Sequence, residues 1–473
     1  MRSLAVFLLA FPFAIAASET AETQAALDRI SAQSMRGHLS FLASDLLEGR
    51  NSPSRGLDLA AEYIAAQFRR IGLEAAGDDG YFQTAKMVTQ EQSKNGWHIL
   101  LNWNGKEFSL KDSDFSGVAA KPVDFAGLPV FKVMKESDIT ADLENAVALL
   151  DASGRSLLRK VRAAKPAAIV TVSDRKPRIP TRLIEGGGEH SSLVQMYVKN
   201  DEWTQMVEAL PAGRTEAKLS VTAPGPSETP SSLRNVVGVL RGSDPLLKDT
   251  YVFLTAHYDH IGMKPAGEGD RIYNGANDDG SGTVSVIEIA AALAAMEHRP
   301  KRSIVFMAVF GEEEGLIGSQ YYARHPIFPL AKTVADFNLE QLGRTDDTAG
   351  PQVATVSVTG MTYSDLGKTL AEAGGKTGVH IREDESRSDE FFARSDNLSF
   401  AEKGVPAHTI GVAFEFPDYH QVGDEWQKID YANMAKVDRM IATAVLMVAD
   451  SAVAPKWNEE SSKTEPYRKA IHP

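Results

Sequence analysis

Histidine and acidic residues gather in short clusters in the second half of the chain, each just after an apolar run. The run 251–256 leads into His257-Tyr258-Asp259-His260. Gly275-Ala276-Asn277-Asp278-Asp279-Gly280-Ser281-Gly282 opens a helical stretch at 283–296. The run 304–310 leads into Gly311-Glu312-Glu313-Glu314-Gly315, the run 333–339 into Glu340, and 407–412 toward Tyr419-His420 and Asp424. Singly, each cluster has an ordinary explanation as a turn, a helix cap or a solvated strand end. Together they pose an electrostatic problem, because carboxylates converging on one place raise each other's pKa unless cations neutralise them. Imidazole and carboxylate donors without sulfur suit zinc or a similar divalent ion. If two ions share the site, one carboxylate has to bridge them, which sets them roughly 3.5–4 Å apart.

The elements that carry these clusters read as alternating strands and helices. Apolar runs at 235–240, 251–255, 304–310, 333–339 and 407–412 predict strands, with helices at 283–296, 366–373 and 431–448. Near-continuous apolar strands separated by helices predict an α/β fold, a mostly parallel mixed sheet with helices on both faces. In such a sheet, ligands bind beyond the carboxyl ends of the strands, where every cluster falls. Helical spacing also marks 24–45 and 55–72, with Gly72 closing the second helix and a polar loop, SDLLEGRNSPSRG, between them. From Lys86 the texture changes to short strand-like runs, up to a Pro-rich strip at 223–230 that reads as an exit linker. The expected organisation is a signal peptide at 1–16, N-terminal helices at 17–85, an inserted β-rich domain at 86–228, the main sheet domain at 229–452 and a loosely held polar tail at 453–473.

AHYDH, GANDDGSG, GEEEGLIGS, NLEQLG and DYHQVGDEW, in that order, resemble the co-catalytic zinc exopeptidases of metallopeptidase family twenty-eight. That family includes secreted bacterial aminopeptidases, glutamate carboxypeptidases and relatives of the transferrin receptor. The resemblance covers about 230–450, and HLSFLASDLLEGR matches the family's N-terminal segment. The stretch 130–210 is similar to its protease-associated insert. By position, the resemblance implies two Zn2+ (or other divalent ions), with His257 and Glu340 on one, Glu313 and His420 on the other, and Asp278 bridging. It implies that Asp259 orients the His257 imidazole and that Glu312 is the general base, acting on a metal-bridging hydroxide. Asp396, in RSDNLSF, matches a Ser-Asp pair near the family's site, and a surface-loop role is the alternative.

The resemblance implies hydrolysis of peptides at a free terminus, and the acidic rim favours binding a free amine, as an aminopeptidase does. Glu340 stands where many aminopeptidases of the family have Asp. A carboxypeptidase or dipeptidase is therefore the first alternative, with Arg387 or Arg394 available for a substrate carboxylate. A single-zinc glutaminyl cyclase and a non-catalytic receptor-like module follow.

Composition narrows the field further. Of 473 residues, 43% are hydrophobic and 24% charged, which is globular usage. Fifty Lys+Arg against 63 Asp+Glu give a net charge of −13, unsuited to a nucleic-acid partner. Cysteine is absent, which excludes disulfides, zinc–thiolate sites and cysteine nucleophiles. There is no G-x-S-x-G, H-E-x-x-H or P-loop motif to support a serine hydrolase, a helix-borne zinc protease or a nucleotide enzyme. Met1-Arg2, the apolar run Leu4 to Phe13 and Ala14-Ile15-Ala16 read as a secretory signal, too short to span a bilayer. The expected location is periplasmic or extracellular, without stable membrane insertion. The sequence carries no signal for an oligomeric state.

Overall fold

The computed structural model of the chain describes residues 21–93, 95–151, 157–172, 182–186, 193–382 and 384–471. The leader-like segment 1–16 lies outside them. The backbone divides into two compact units, one made of the residues up to Ala85 together with those from Ser232 onward, the other of Lys86–Ser231. Among the described residues no helix is long and apolar enough to cross a membrane.

In the first unit the central strands are Ala407–Gly411, Thr333–Leu339, Tyr251–His257 and Ser303–Val309, side by side in that order and all parallel. Antiparallel strands flank them, Thr355–Val358 against Ala407–Gly411 and the end of Ser227–Leu240 against Ser303–Val309. Tyr251–His257 and Ser303–Val309 are buried at every position, the pattern of strands covered on both faces, so their sequences show no alternation. One face packs Phe253, Val305 and Met307 against Tyr322 and Phe400. Helices Gly282–Ala294 and Tyr431–Asp450 also contact strand Tyr251–His257. Gly282–Ala294 has no exposed residue and is accordingly mostly apolar, with Glu288 its one charged residue. Because the four central strands are parallel, the chain leaves each of them at the same edge of the sheet, just where His257, Glu312, Glu313 and Glu340 follow.

The N-terminal helices differ from expectation in one place. The spacing predicted one helix over 24–45, but a turn interrupts it and a new helix, Ala32–Leu42, starts after Ser31, whose side chain accepts from Ser34 N. A serine competes well for the backbone N–H groups at a helix start and so ends the preceding turn. Helix Arg55–Ile71 is capped by Ser54 and closed by Gly72, which adopts φ 83°.

The second unit is an eight-stranded sheet in the order Lys106–Ser109, His98–Trp103, Gly213–Ala223, Val123–Lys132, Val147–Leu150, Ala168–Val172, Val194–Val198, Phe115–Ala119. Its core gathers Val130, Leu149, Val170, Met196 and Trp203. Of the strip 223–230, residues 224–226 belong to no regular element and 227–230 are the exposed start of strand Ser227–Leu240, with Pro230 open to solvent, where proline's missing donor is harmless.

The C-terminal segment corrects the expectation of a loose tail. Trp457 is 4% exposed, stacks on Tyr467 with ring centres 5.1 Å apart, and donates from Nε1 to the Gly404 carbonyl at 2.8 Å. Residues Glu465–Ile471 form a final helix. Two aromatics spaced ten apart in a polar stretch were enough to dock it, although the average polarity of 455–473 hid them. Trp457→Ala should therefore cost about 3–5 kcal/mol, as large-to-small core changes do. A denaturant midpoint that does not move would show the tail to be energetically idle.

Candidate metal centre

Hydrogen bonds hold each loop at the edge of the sheet. His257, the last residue of its strand, has Nδ1 3.2 Å from the Asp259 carbonyl oxygen. That hydrogen bond makes Nδ1 the protonated nitrogen and turns Nε2 toward Asp278 Oδ1, 3.4 Å away. The Asp259 carboxylate lies 3.5 Å from the same Nδ1 and accepts the backbone N–H of Glu312 at 3.1 Å, tying the two strand ends together. Asp424 accepts from the N–H groups of Asn277 (2.9 Å) and Asp278 (3.0 Å), and so holds the GANDDGSG loop. Asp279 accepts from Gly282 N at 2.9 Å and Gln341 N at 3.1 Å, joining that loop to the segment after Glu340. The Asp278–Asp279 peptide bond is cis.

Asp278 stands at the middle. Its Oδ1 faces His257, while its Oδ2 lies 3.0 Å from His420 Nε2. His420 Nε2 is also 3.3 Å from Glu313 Oε1. Two donor sets result, each able to hold a metal ion: His257, Asp278 and Glu340, and His260, Asp278 and Glu313. All five residues expected as ligands thus meet in one place. The fit to cations rests on a further observation. His257 Nε2, His260 Nδ1, Asp278 Oδ2 and Glu313 Oε1 are buried without a hydrogen-bond partner. Buried polar atoms are normally satisfied, and donor atoms orphaned together around one point are what a bound dication would satisfy.

The electrostatics agree. Burial tends to lower the pKa of His257, yet Glu312, Asp259 and Asp278 outweigh it and hold the imidazole well above its ordinary range. His420 is pushed up to about 10, since Asp278 and Glu313 overcome the effect of its burial. Burial drives Glu340 up to about 7 and Glu312 well above the usual carboxylate range. Asp278 is held well below it, burial being overcome by His257 and His420. These directions are those expected where carboxylates outnumber the cations around them.

Residues 235–445 match the peptidase family M28 profile. That match covers 211 of the 473 residues. The chain is 25% identical over 340 residues to Aminopeptidase YwaD of Bacillus subtilis, covering 70% of this chain and 68% of that one. It is 28% identical over 294 residues to a Pyrenophora tritici-repentis protein named "Probable zinc metalloprotease", covering 52% and 65%. In fold it is similar to the aminopeptidase from Aneurinibacillus sp. strain AM-1, with TM-score 0.59, 18% identity and coverage of 92% and 96%. The 86–231 unit lies outside the matched residues.

Within the matched residues, Asp396 is fully buried, accepts from Ser319 Oγ at 2.5 Å, and is close enough to raise the pKa of Glu312 and Glu340, so it is no surface-loop residue. Arg387 is committed elsewhere, to Asp347 at 2.7 Å and Glu415 at 3.1 Å. Arg394 lies over the Phe391 ring at 4.5 Å and lines a pocket with Asp278, Glu312 and Glu340.

Two further residues of the site carry no assignment in the sequence. Arg50, read as part of a polar loop, is 1% exposed. It donates to the carbonyl oxygens of Leu42, Tyr258, Asn274 and Gly275, the last three at 2.8–2.9 Å. One guanidinium therefore grips the segment after strand Tyr251–His257 and the loop bearing Asp278. Burial lowers it to about 10, which leaves it cationic at neutral pH beside Asp259 and Asp424. His260 is the other. The only signal for it was a second imidazole three residues after His257.

The domain should bind divalent ions strongly enough to raise its stability, by about 4 kcal/mol when free metal is a thousandfold above Kd. Chelation should lower the denaturant midpoint, and Asp278→Asn should remove both metal and the chelator response. Because imidazole ligands must be neutral, affinity should fall as pH drops through the histidine range. Metal analysis and unfolding at pH 7.5 and 5.5 check this; a chelator-insensitive wild type would refute it.

Proposed function

We propose that the chain is an exported zinc exopeptidase working with two ions, most simply an aminopeptidase. His257 and Glu340 would hold one ion, Glu313 and His420 the other, and Asp278 would be shared. The observation that carries this reading is the position of Asp278, whose two carboxylate oxygens face two different imidazoles, His257 at 3.4 Å and His420 at 3.0 Å. The donor chemistry and the relative named a zinc metalloprotease both support zinc. When bound, such ions supply Lewis acidity and an ionised water near neutral pH.

The chain's own groups do the rest. Glu313 turns its carboxylate to His260 and His420, whereas Glu312 approaches the imidazoles only at 4.0 Å, from His257. Glu312 is thus the carboxylate left to move protons. Burial among other acids keeps its basicity high, which suits a base that takes a proton from the attacking water and passes it to the leaving amine. The Asp259 carboxylate receives the Glu312 N–H and its carbonyl fixes the His257 tautomer, so it holds base and ligand in one frame.

Direction along the peptide rests on charge. The carboxylate-rich pocket suits a substrate's free amine, and the Bacillus subtilis relative is named an aminopeptidase. Arg394 in the same pocket is the observation that favours the second reading, a carboxypeptidase gripping a terminal carboxylate. Unblocked, N-acetylated and C-amidated peptides separate the two. The expected result is release of N-terminal residues, abolished by acetylation and indifferent to amidation; the reverse pattern would turn the assignment round. In the same assay Glu312→Gln should keep its metal and lose at least about 100-fold in turnover. Half-maximal activity in that variant would remove Glu312 from the proton path.

Export is supported by the apolar run Leu4 to Phe13 and the small residues after it. Mass spectrometry of the mature protein should find an N-terminus near Ala17, and an intact Met1 in the secreted fraction would contradict it.

A further inference from the structure

His260 belongs to one of the two donor sets, yet it stands outside the five ligands of the proposed function, which put His420 with Glu313 and Asp278. The residue is 0% exposed. Its Nδ1 lies 2.8 Å from Glu313 Oε1 and 3.9 Å from Asp278 Oδ2. The short approach to Glu313 is not aligned as a hydrogen bond, and both atoms are left without a partner. A buried imidazole nitrogen and a buried carboxylate oxygen at that separation, neither hydrogen-bonded, leave lone pairs that a cation beside them would satisfy. His420 Nε2 faces the same two carboxylate oxygens, at 3.0 and 3.3 Å, and the two imidazole rings stand 5.6 Å apart at 76°.

The His260 ring is also held in place. Its backbone N–H donates to the Arg50 carbonyl at 3.3 Å. Position 275 is glycine at φ 60°, and a Cβ there would come within 2.5 Å of His260 Cγ, so any larger residue would push the ring out of its seat. Ring and loop are fitted to each other. A histidine needed only for packing has no reason to aim an unpaired nitrogen at two metal-facing oxygens.

We infer that His260 is a further metal ligand, donating Nδ1 to the ion that Glu313, Asp278 and His420 hold. This rests on the dication reading of the previous subsection and adds a third imidazole to the site. That ion's surroundings would be richer in nitrogen than those of the His257 ion, and the residue three positions after His257 would decide how firmly it is kept.

The test is X-ray absorption on the full-length zinc-loaded protein, with equivalents bound measured on the same sample. Imidazole scattering from wild type should correspond to three histidines over the bound ions. His260→Gln should lose one of them, and His420→Ala, as a positive control, should do likewise. An imidazole that merely supports Glu313 would weaken metal uptake by about 10–100-fold, as outer partners do, yet leave the count at two in wild type and variant alike. That count overturns the inference while leaving the dication site standing. A wild type that takes up no divalent ion overturns both. The wild-type count decides the matter even if the substituted proteins fail to fold.

Discussion

Negative charge in a dry place is the constraint around which this domain is built. Asp259, Asp278, Asp279, Asp396 and Asp424 are all buried at one edge of one sheet, with Glu312, Glu313 and Glu340 beside them. Each carboxylate removed from water loses hydration worth several kcal/mol, and each repels its neighbours more strongly than it would in solvent. The fold meets this in two ways. Asp279 and Asp424 are satisfied by backbone N–H groups and so become braces for the loops they hold. Asp278 and Glu313 keep oxygens unsatisfied and facing imidazoles, which leaves an appetite for cations.

Arg50 belongs to the same balance. It arrives from the N-terminal segment, far away in sequence, and places a permanent positive charge behind the acidic loops. Its hydrogen bonds go to carbonyl oxygens rather than to carboxylates. The guanidinium therefore fixes backbone geometry while contributing charge at a distance, and the carboxylates stay free to face the centre. The first helices are thus part of the site's support as well as a layer over the sheet.

Parallel strands make the gathering possible. Four neighbouring strands that run the same way end on the same edge, so residues that follow them converge although His257 and His420 stand 420 − 257 = 163 positions apart. The register is direct: His257 pairs with Val309, two residues from Gly311, and Asn338 pairs with Thr255 and Thr409. An antiparallel arrangement of the same strands would have sent half of these groups to the opposite edge.

By itself the sequence determined the alternation of apolar strands and helices, hence a largely parallel sheet, and it placed every donor type just beyond a strand end. Those are local properties, set by burial on both faces and by the short loops that follow. It gave no warning that the helix predicted over 24–45 breaks at Ser31, since apolar spacing outlasts a single capping residue. It also hid the docking of Trp457 and the burial of Arg50, because a polar neighbourhood says nothing about which one side chain turns inward. Tertiary structure alone decided that Asp278 stands between two imidazoles, that Arg387 is already paired while Arg394 is in the pocket, and that His260 points at Glu313. Those outcomes depend on distances between segments remote in sequence, and such distances exist only once the sheet has brought its edges together.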